Sequence, residues 1–111
     1  MTLREKQSKF VHMEALLILH AEQLGYELTQ GDGYRPSGCG YGHPQSLHRI
    51  RLAVDFNLFK DGVYLTETED HLPLGEYWES IGGSWGGRFL DAKGRPKPDG
   101  NHYSLEHEGR K

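Results

Sequence analysis

The chain has 111 residues, of which 35% are hydrophobic and 26% charged, which suits one globular domain with a modest core. Its formal net charge of -3 argues against a general nucleic-acid-binding protein, because contacts to phosphates need a basic surface. One cysteine, Cys39, excludes an intrachain disulfide, and no stretch approaches the ~20 apolar residues of a membrane span. The first ten residues, MTLREKQSKF, carry charges where a signal peptide needs an apolar run, so we expect a cytoplasmic protein.

The first predicted element is an amphipathic helix over residues 2–25. Apolar residues recur there at three- and four-residue spacing. Thr2 and Glu5 form the pattern of a capping box, and Gly25 is a suitable end for the helix.

Short strands and glycine-rich loops follow the helix. The segment YELTQ (26–30) is a predicted strand, and GDGYRPSGCGYGHPQ (31–45) is a loop of the kind that often carries binding residues. A hairpin is predicted over 52–66, where KDG joins two apolar strands. The remaining predicted elements are a short helix over 71–81, a loop over 82–101 and a strand over 102–107.

This order of elements predicts the fold class. A helix followed by strands and long loops, with no repeat, indicates an α+β domain over residues 1–111. We expect a small antiparallel sheet with flanking helices.

A carboxylate inside a predicted strand raises the main chemical question. In SLHRIRLAVDF (46–56), His48 precedes the strand and Asp55 lies within it, where a carboxylate is costly unless it is paired. The two side chains can converge if the chain turns once between them, and imidazole nitrogen and carboxylate oxygen are ordinary zinc ligands. Taken singly, His48 also fits a surface histidine, and Asp55 fits a strand-edge carboxylate in water.

A catalytic zinc site needs a third protein ligand and an open position. The segment PDGNHYSLEH offers His102 and His107 as candidates. Asp99, three residues before His102, could act beside the metal as a general base without binding it. Each of these residues also fits an ordinary loop, so spacing alone gives only a weak indication of a zinc hydrolase.

A resemblance to a known family sharpens this hypothesis. The positions of Ser46, His48, Ala53 and Asp55 match the S-x-H-x-x-G-x-A-x-D signature of the VanY-like zinc peptidases, the D-Ala-D-Ala carboxypeptidase family. That family includes phage L-alanyl-D-glutamate endopeptidases. Arg51 stands where the signature has glycine.

Three more landmarks of that family follow in order. The segment GYRP, with Arg35, resembles the family's Y-R segment, and WGGRF (85–89) resembles its W-G-G segment, with Arg88 in place of the usual acid. The segment from Asp99 to Tyr103 resembles the acid-x-x-H-[FY] segment that ends the site. The helix running into LGYELTQGDGYRP is similar to the endopeptidase branch, so the resemblance spans nearly the whole chain.

The resemblance implies a hedgehog/D-Ala-D-Ala peptidase-like domain with one Zn²⁺. His48, Asp55 and His102 would hold the metal, and Asp99 would be the general base and acid. Arg35 would stabilise the oxyanion or hold the substrate carbonyl.

Three further residues are candidates for substrate binding. Ser46 would orient the substrate or support the ligands, and Trp85 would line the groove or belong to the core. Arg51 would be strained if the family glycine has positive φ, or would alter specificity if that glycine allows close approach of substrate.

Other reactive side chains have simpler interpretations. Cys39 fits an inert loop thiol and His43 a loop histidine near the groove. His107 competes with His102 for the third ligand position but lacks an acid three residues before it. We expect the remaining histidines to be solvated: His12, His20 and His71.

The resulting prediction is a monomeric zinc metallopeptidase that cuts peptidoglycan stem peptides, with the L-Ala–D-Glu bond as the leading candidate for the scissile bond. It would be a phage or prophage endolysin that accumulates in the host cytoplasm and reaches the cell wall through a holin-type lesion. The alternatives are a D,D- or L,D-carboxypeptidase, a non-catalytic zinc-binding module such as that of hedgehog proteins, and an HNH-like nuclease, which the net charge disfavours.

Overall fold

An antiparallel sheet carries the residues of interest. The computed structural model describes residues 1–34 and 46–111, and five strands form one sheet within these ranges. β2 is its central strand: β1 pairs with one edge, while β3 and β5 pair with the other, and β4 pairs with β5. The strands are β1 (Glu27–Gln30), β2 (Ala53–Lys60), β3 (Val63–Leu65), β4 (Ser84–Trp85) and β5 (His102–Ser104).

The first helix, α1, runs over Leu3–Gln23, close to its predicted bounds. The Thr2 hydroxyl accepts a hydrogen bond from the Glu5 backbone N–H at 3.1 Å, and the Glu5 carboxylate accepts one from the Thr2 N–H at 2.8 Å. This is the predicted capping box, which satisfies two of the free N–H groups at the helix start. The helix ends before Gly25, whose φ of +85° suits a residue without Cβ.

The predicted hairpin is present as β2 and β3. Asp61 and Gly62 have φ of +52° and +80°, which is typical of a two-residue type I′ turn. Lys60 therefore pairs with Val63, and this register aligns the two strands.

The second helix, α2, covers Leu72–Ser80, and Pro73 lies in its first turn, where no N–H is needed. Trp78 on α2 is fully buried, and its indole N–H donates to the carbonyls of Ser104 and Ser84 at 2.9 and 3.1 Å. Its ring meets Phe10 of α1 edge to face, with centroids 5.7 Å apart. These contacts pack both helices against the sheet around one hydrophobic core.

The α+β prediction is confirmed, but three details differ. Residues 84–85 form a short strand inside the predicted loop, and the last strand ends at Ser104 instead of residue 107. Short 3₁₀ turns, which were not predicted, cover Leu47–Ile50, Thr68–His71 and Gly86–Arg88. In the described residues, no helix has both the length and the apolar character needed to cross a bilayer.

Candidate metal centre

Three side chains from three elements meet at one edge of the central strand. His48 lies on the 3₁₀ turn, Asp55 lies on β2, and His102 opens β5 directly opposite Asp55. Between His48 and Asp55 the chain reverses at Arg51, whose φ of +59° and ψ of +36° are left-handed. The single turn that the spacing required is therefore present, and it brings the seven-residue pair together.

The distances among these side chains suit a tetrahedral ion. Asp55 Oδ1 lies 3.4 Å from His48 Nε2 and 3.2 Å from His102 Nδ1, and one ligand atom from each residue lies within 4.8 Å of the others. Two ligand atoms at ~2.0–2.1 Å from a tetrahedral zinc ion are about 3.3 Å apart. The two distances from the Asp55 carboxylate to the imidazole nitrogens match that separation.

The His48 ring is oriented by a backbone carbonyl. Its Nδ1 lies 2.8 Å from the Gly33 oxygen. A carbonyl can only accept, so in the neutral ring Nδ1 carries the proton and Nε2 keeps a lone pair directed toward Asp55. This is the arrangement that metal-binding histidines use to fix their tautomer.

The His102 ring is held mainly by packing. Its ring centroid lies 5.1 Å from that of His48 and 5.1 Å from that of Phe89. Its Nε2 is buried without a hydrogen-bond partner in the described part of the chain, so the Asp55 carboxylate is the polar group that the ring faces.

The charge of the cluster also suits a divalent cation. Burial would raise the pKa of Asp55, but His102 and His48, when protonated, donate hydrogen bonds to the carboxylate and carry positive charge, and together these effects outweigh burial and lower the pKa to about 2. A bound cation would take the place of those protons. The carboxylate is thus ionised at neutral pH between two imidazoles. One anion and two neutral nitrogens form a donor set that zinc commonly accepts, so the residues present fit the ion.

Asp99 lies beside this cluster without belonging to it. The His102 N–H donates to the Asp99 carbonyl at 3.1 Å, which makes Asp99–His102 a tight turn leading into β5. Although Asp99 is exposed, partial burial of its carboxyl raises its pKa, the nearby Asp55 charge raises it further, and His102 and His48 offset part of the effect. A carboxyl with a raised pKa next to a metal centre suits proton transfer.

Close backbone contacts at two glycines, Gly86 and Gly100, hold the Asp99 turn in place. The Asp99 N–H donates to the Gly86 carbonyl at 2.8 Å, and a Cβ on Gly86 would lie against the Asp99 carbonyl oxygen. A Cβ on Gly100 would lie 2.7 Å from Thr68 Cα, and the Trp85 indole N–H donates to the Gly100 carbonyl at 2.7 Å. The supporting role of Gly86 and Thr68 was not predicted, and the WGG segment was the one sequence signal near it.

The predicted substrate-binding residues have local roles in the structure. The Ser46 hydroxyl accepts from the His48 N–H at 3.2 Å and caps its turn. The Arg51 guanidinium lies 4.0 Å from the centroid of the Tyr34 ring, and Trp85 is only 3% exposed. Contact with substrate stays a prediction for all three residues. For Trp85, burial disfavours such a contact.

Some predicted residues fall elsewhere. Arg35, Cys39 and His43 lie outside the described residues. The expectation that His71 is solvated was wrong: it is 3% exposed, and its Nδ1 lies 2.8 Å from the Tyr103 hydroxyl. His107 does not join the cluster, and its Nδ1 lies 3.1 Å from Lys6 Nζ.

Comparisons with known proteins agree with this geometry. The sequence model of one family, described as D-alanyl-D-alanine carboxypeptidase, matches residues 40–105, which is more than half of the chain. The crystal structure of the Serratia marcescens L-Ala D-Glu endopeptidase ChiX has the same fold, with a TM-score of 0.60 and 19% identity over 81% of this chain and 75% of ChiX. No curated protein sequence matches the chain. The resemblance inferred from the sequence is thus confirmed, and the chain belongs to the D-alanyl-D-alanine carboxypeptidase family of M15 peptidases.

Proposed function

We propose that the protein is a zinc-dependent peptidase that hydrolyses the L-Ala–D-Glu bond of peptidoglycan stem peptides. The observation that carries this proposal is the cluster of His48, Asp55 and His102, with Asp99 beside it, in a chain of this family. A binding module would need the cluster but would have no use for the adjacent carboxyl.

Each residue of the site has a distinct task. His48 Nε2, Asp55 Oδ1 and His102 Nδ1 would hold the ion. Zinc bound there supplies Lewis-acid activation of water and of the peptide carbonyl.

Asp99 would carry the proton. Its carboxylate accepts a proton as the water oxygen adds to the carbonyl carbon, and it gives that proton to the amine nitrogen as the C–N bond breaks. The raised pKa of Asp99 favours this second transfer, because a stronger tendency to hold the proton keeps it available for the leaving group. We retain Arg35 as the proposed partner of the developing oxyanion.

Two features support the endopeptidase reaction. The fold is similar to that of an L-Ala D-Glu endopeptidase, and the acid at position 99 is Asp, as in the phage branch that the sequence resembles. We extend the proposal to a monomeric phage or prophage endolysin that reaches the wall from the host cytoplasm.

The second candidate is a D,D- or L,D-carboxypeptidase, and the matched D-alanyl-D-alanine carboxypeptidase family favours the D,D-reaction. Such an enzyme must recognise a terminal carboxylate and would release free D-Ala.

A synthetic pentapeptide stem, L-Ala-γ-D-Glu-diaminopimelate-D-Ala-D-Ala, separates the two. We expect mass spectrometry to find free L-Ala and a tetrapeptide that begins with D-Glu. Free D-Ala, or the dipeptide D-Ala-D-Ala, would move the assignment to the D,D- or the L,D-reaction respectively, and His48→Ala should remove whichever activity is found.

A further inference from the structure

A large cleft adjoins the Asp99 side of the candidate metal centre. Its volume is about 810 Å³, and its walls include Phe89, Leu90, Lys97, Pro98 and Asp99. Phe89 also faces the His102 ring, with centroids 5.1 Å apart. The cleft therefore begins at the proposed proton carrier and next to a proposed ligand, where a substrate residue beyond the scissile bond would lie.

The loop that forms this cleft is held by hydrogen bonds. The Lys97 N–H donates to the Phe89 carbonyl at 2.8 Å, and Leu90 pairs with Pro96 in an antiparallel bridge. The Asp91 carboxylate closes the loop end by accepting from the N–H groups of Lys93 and Arg95 at 2.8 and 2.9 Å. The backbone of Lys97 is thereby held across from Phe89, two residues before Asp99.

The positive charges around the cleft differ in their availability. Arg88 makes a two-point ion pair with Glu79, at 3.1 and 3.2 Å, and Arg95 on the same loop pairs with Asp91 at 3.0 Å. Lys97 makes no ion pair within 4 Å and no side-chain hydrogen bond among the residues that the structure describes; its charge acts on Asp91 only through space, and that carboxylate is already paired with Arg95. Among the described cations of this loop, Lys97 lines the cleft and can receive an anion without breaking an ion pair, whereas Arg95 is paired and Lys93 lies outside the lining. Lys111 also lines the cleft, but it does not belong to the loop.

The cleft also has an apolar wall. Leu90 is 62% exposed there, and Phe89 and Pro98 adjoin it. An exposed apolar wall next to an unpaired ammonium complements an aliphatic group that ends in a carboxylate.

We propose that this cleft binds an aliphatic, carboxylate-bearing amino-acid residue of the peptide substrate, with Lys97 as its counter-ion. The proposal rests on the proposed function, and it makes Lys97 a specificity residue that distinguishes free carboxylates from carboxamides. The residues after L-Ala in a diaminopimelate-containing stem peptide carry such carboxylates.

The test compares two peptides that differ only in charge: L-Ala-γ-D-Glu-diaminopimelate with free carboxylates, and the same peptide with carboxamides. We expect Lys97→Met to raise KM for the free acid about five- to tenfold. This loss lies between that expected for an exposed ion pair and that expected for a hydrogen bond to a charged group. The kcat should stay within about twofold, and cleavage of the amide should not change.

Two further variants act as controls. Lys97→Arg should restore KM for the free acid, because it restores the charge. Lys93→Met removes an exposed lysine from the same loop outside the cleft lining and should behave as the parent protein. Salt should raise KM for the free acid in the parent protein and much less in Lys97→Met.

An equal effect of Lys97→Met on both peptides, or no effect on either, would overturn the proposal. If the parent protein hydrolyses neither peptide, the proposed function fails, and calorimetric titration of the same peptides still tests the cleft. The proposed role of the cleft would be supported if the free acid binds more tightly than the carboxamide and Lys97→Met abolishes this difference. Equal binding of both peptides, or binding of neither, would refute it.

Discussion

Gly86→Ala tests how the Asp99 turn is positioned. A Cβ at this position would lie 2.8 Å from His102 Cβ and 3.1 Å from the Asp99 carbonyl carbon, and it would lie against the Asp99 oxygen. Carbon atoms pack best at about 3.5–4.0 Å, so the turn would have to move by roughly 0.7 Å or more. The added methyl should lower the free energy of unfolding by about 1–3 kcal/mol. A misplacement of about 1 Å near reacting groups costs about 100-fold in rate.

The assay is steady-state cleavage of a stem peptide, with zinc content and urea unfolding measured on the same samples. Gly62→Ala is the matched control, because Gly62 has a φ of +80° with nothing within 4 Å of its Cβ position. It should lose about 1 kcal/mol through backbone strain and keep its kcat. A folded Gly86→Ala protein that loses no more activity than Gly62→Ala would refute the reasoning.

Three further predictions concern single residues. Asp99→Asn should keep zinc and the melting temperature while kcat falls by about 10²–10⁴-fold, and full activity would exclude Asp99 as the general base. Arg51→Gly should be more stable than Arg51→Ala by about 1 kcal/mol in urea unfolding, because both lose the Tyr34 contact and only glycine relieves the left-handed strain; equal stabilities would contradict this. Burial lowers the pKa of His71, so below pH 6.5 the unfolded chain takes up a proton that the folded chain resists. The free energy of unfolding should therefore fall between pH 7.5 and 5.5, and less steeply in His71→Gln; equal slopes would show that His71 does not titrate in this way.

The parts of the fold that the sequence predicted are those with local causes. The helix α1 follows from apolar spacing and the Thr2–Glu5 capping box, and the hairpin follows from the Asp61–Gly62 turn. Arg51 has a positive φ where the family signature has glycine, which agrees with the first of the two interpretations of that substitution. The cluster of His48, Asp55 and His102 could also be predicted, because each residue lay in a recognisable segment.

The parts that were missed depend on contacts between distant segments. His71 is polar and follows an acidic stretch, so its sequence suggests exposure, but Tyr103 covers it from β5. Ser84–Trp85 is too short to show alternation and forms a strand only because β5 offers an edge. The loop pairing that places Lys97 opposite Phe89 likewise depends on backbone hydrogen bonds with no sequence signature.

The measurement that tests the central claim most directly is a digest of purified diaminopimelate-type peptidoglycan by zinc-loaded protein, beside a chelated sample and His48→Ala. End-group labelling and mass spectrometry identify the products. We predict new D-Glu amino termini in the zinc-loaded sample alone. Equal hydrolysis after chelation, or no product from protein that demonstrably holds zinc, would contradict a zinc-dependent peptidoglycan peptidase.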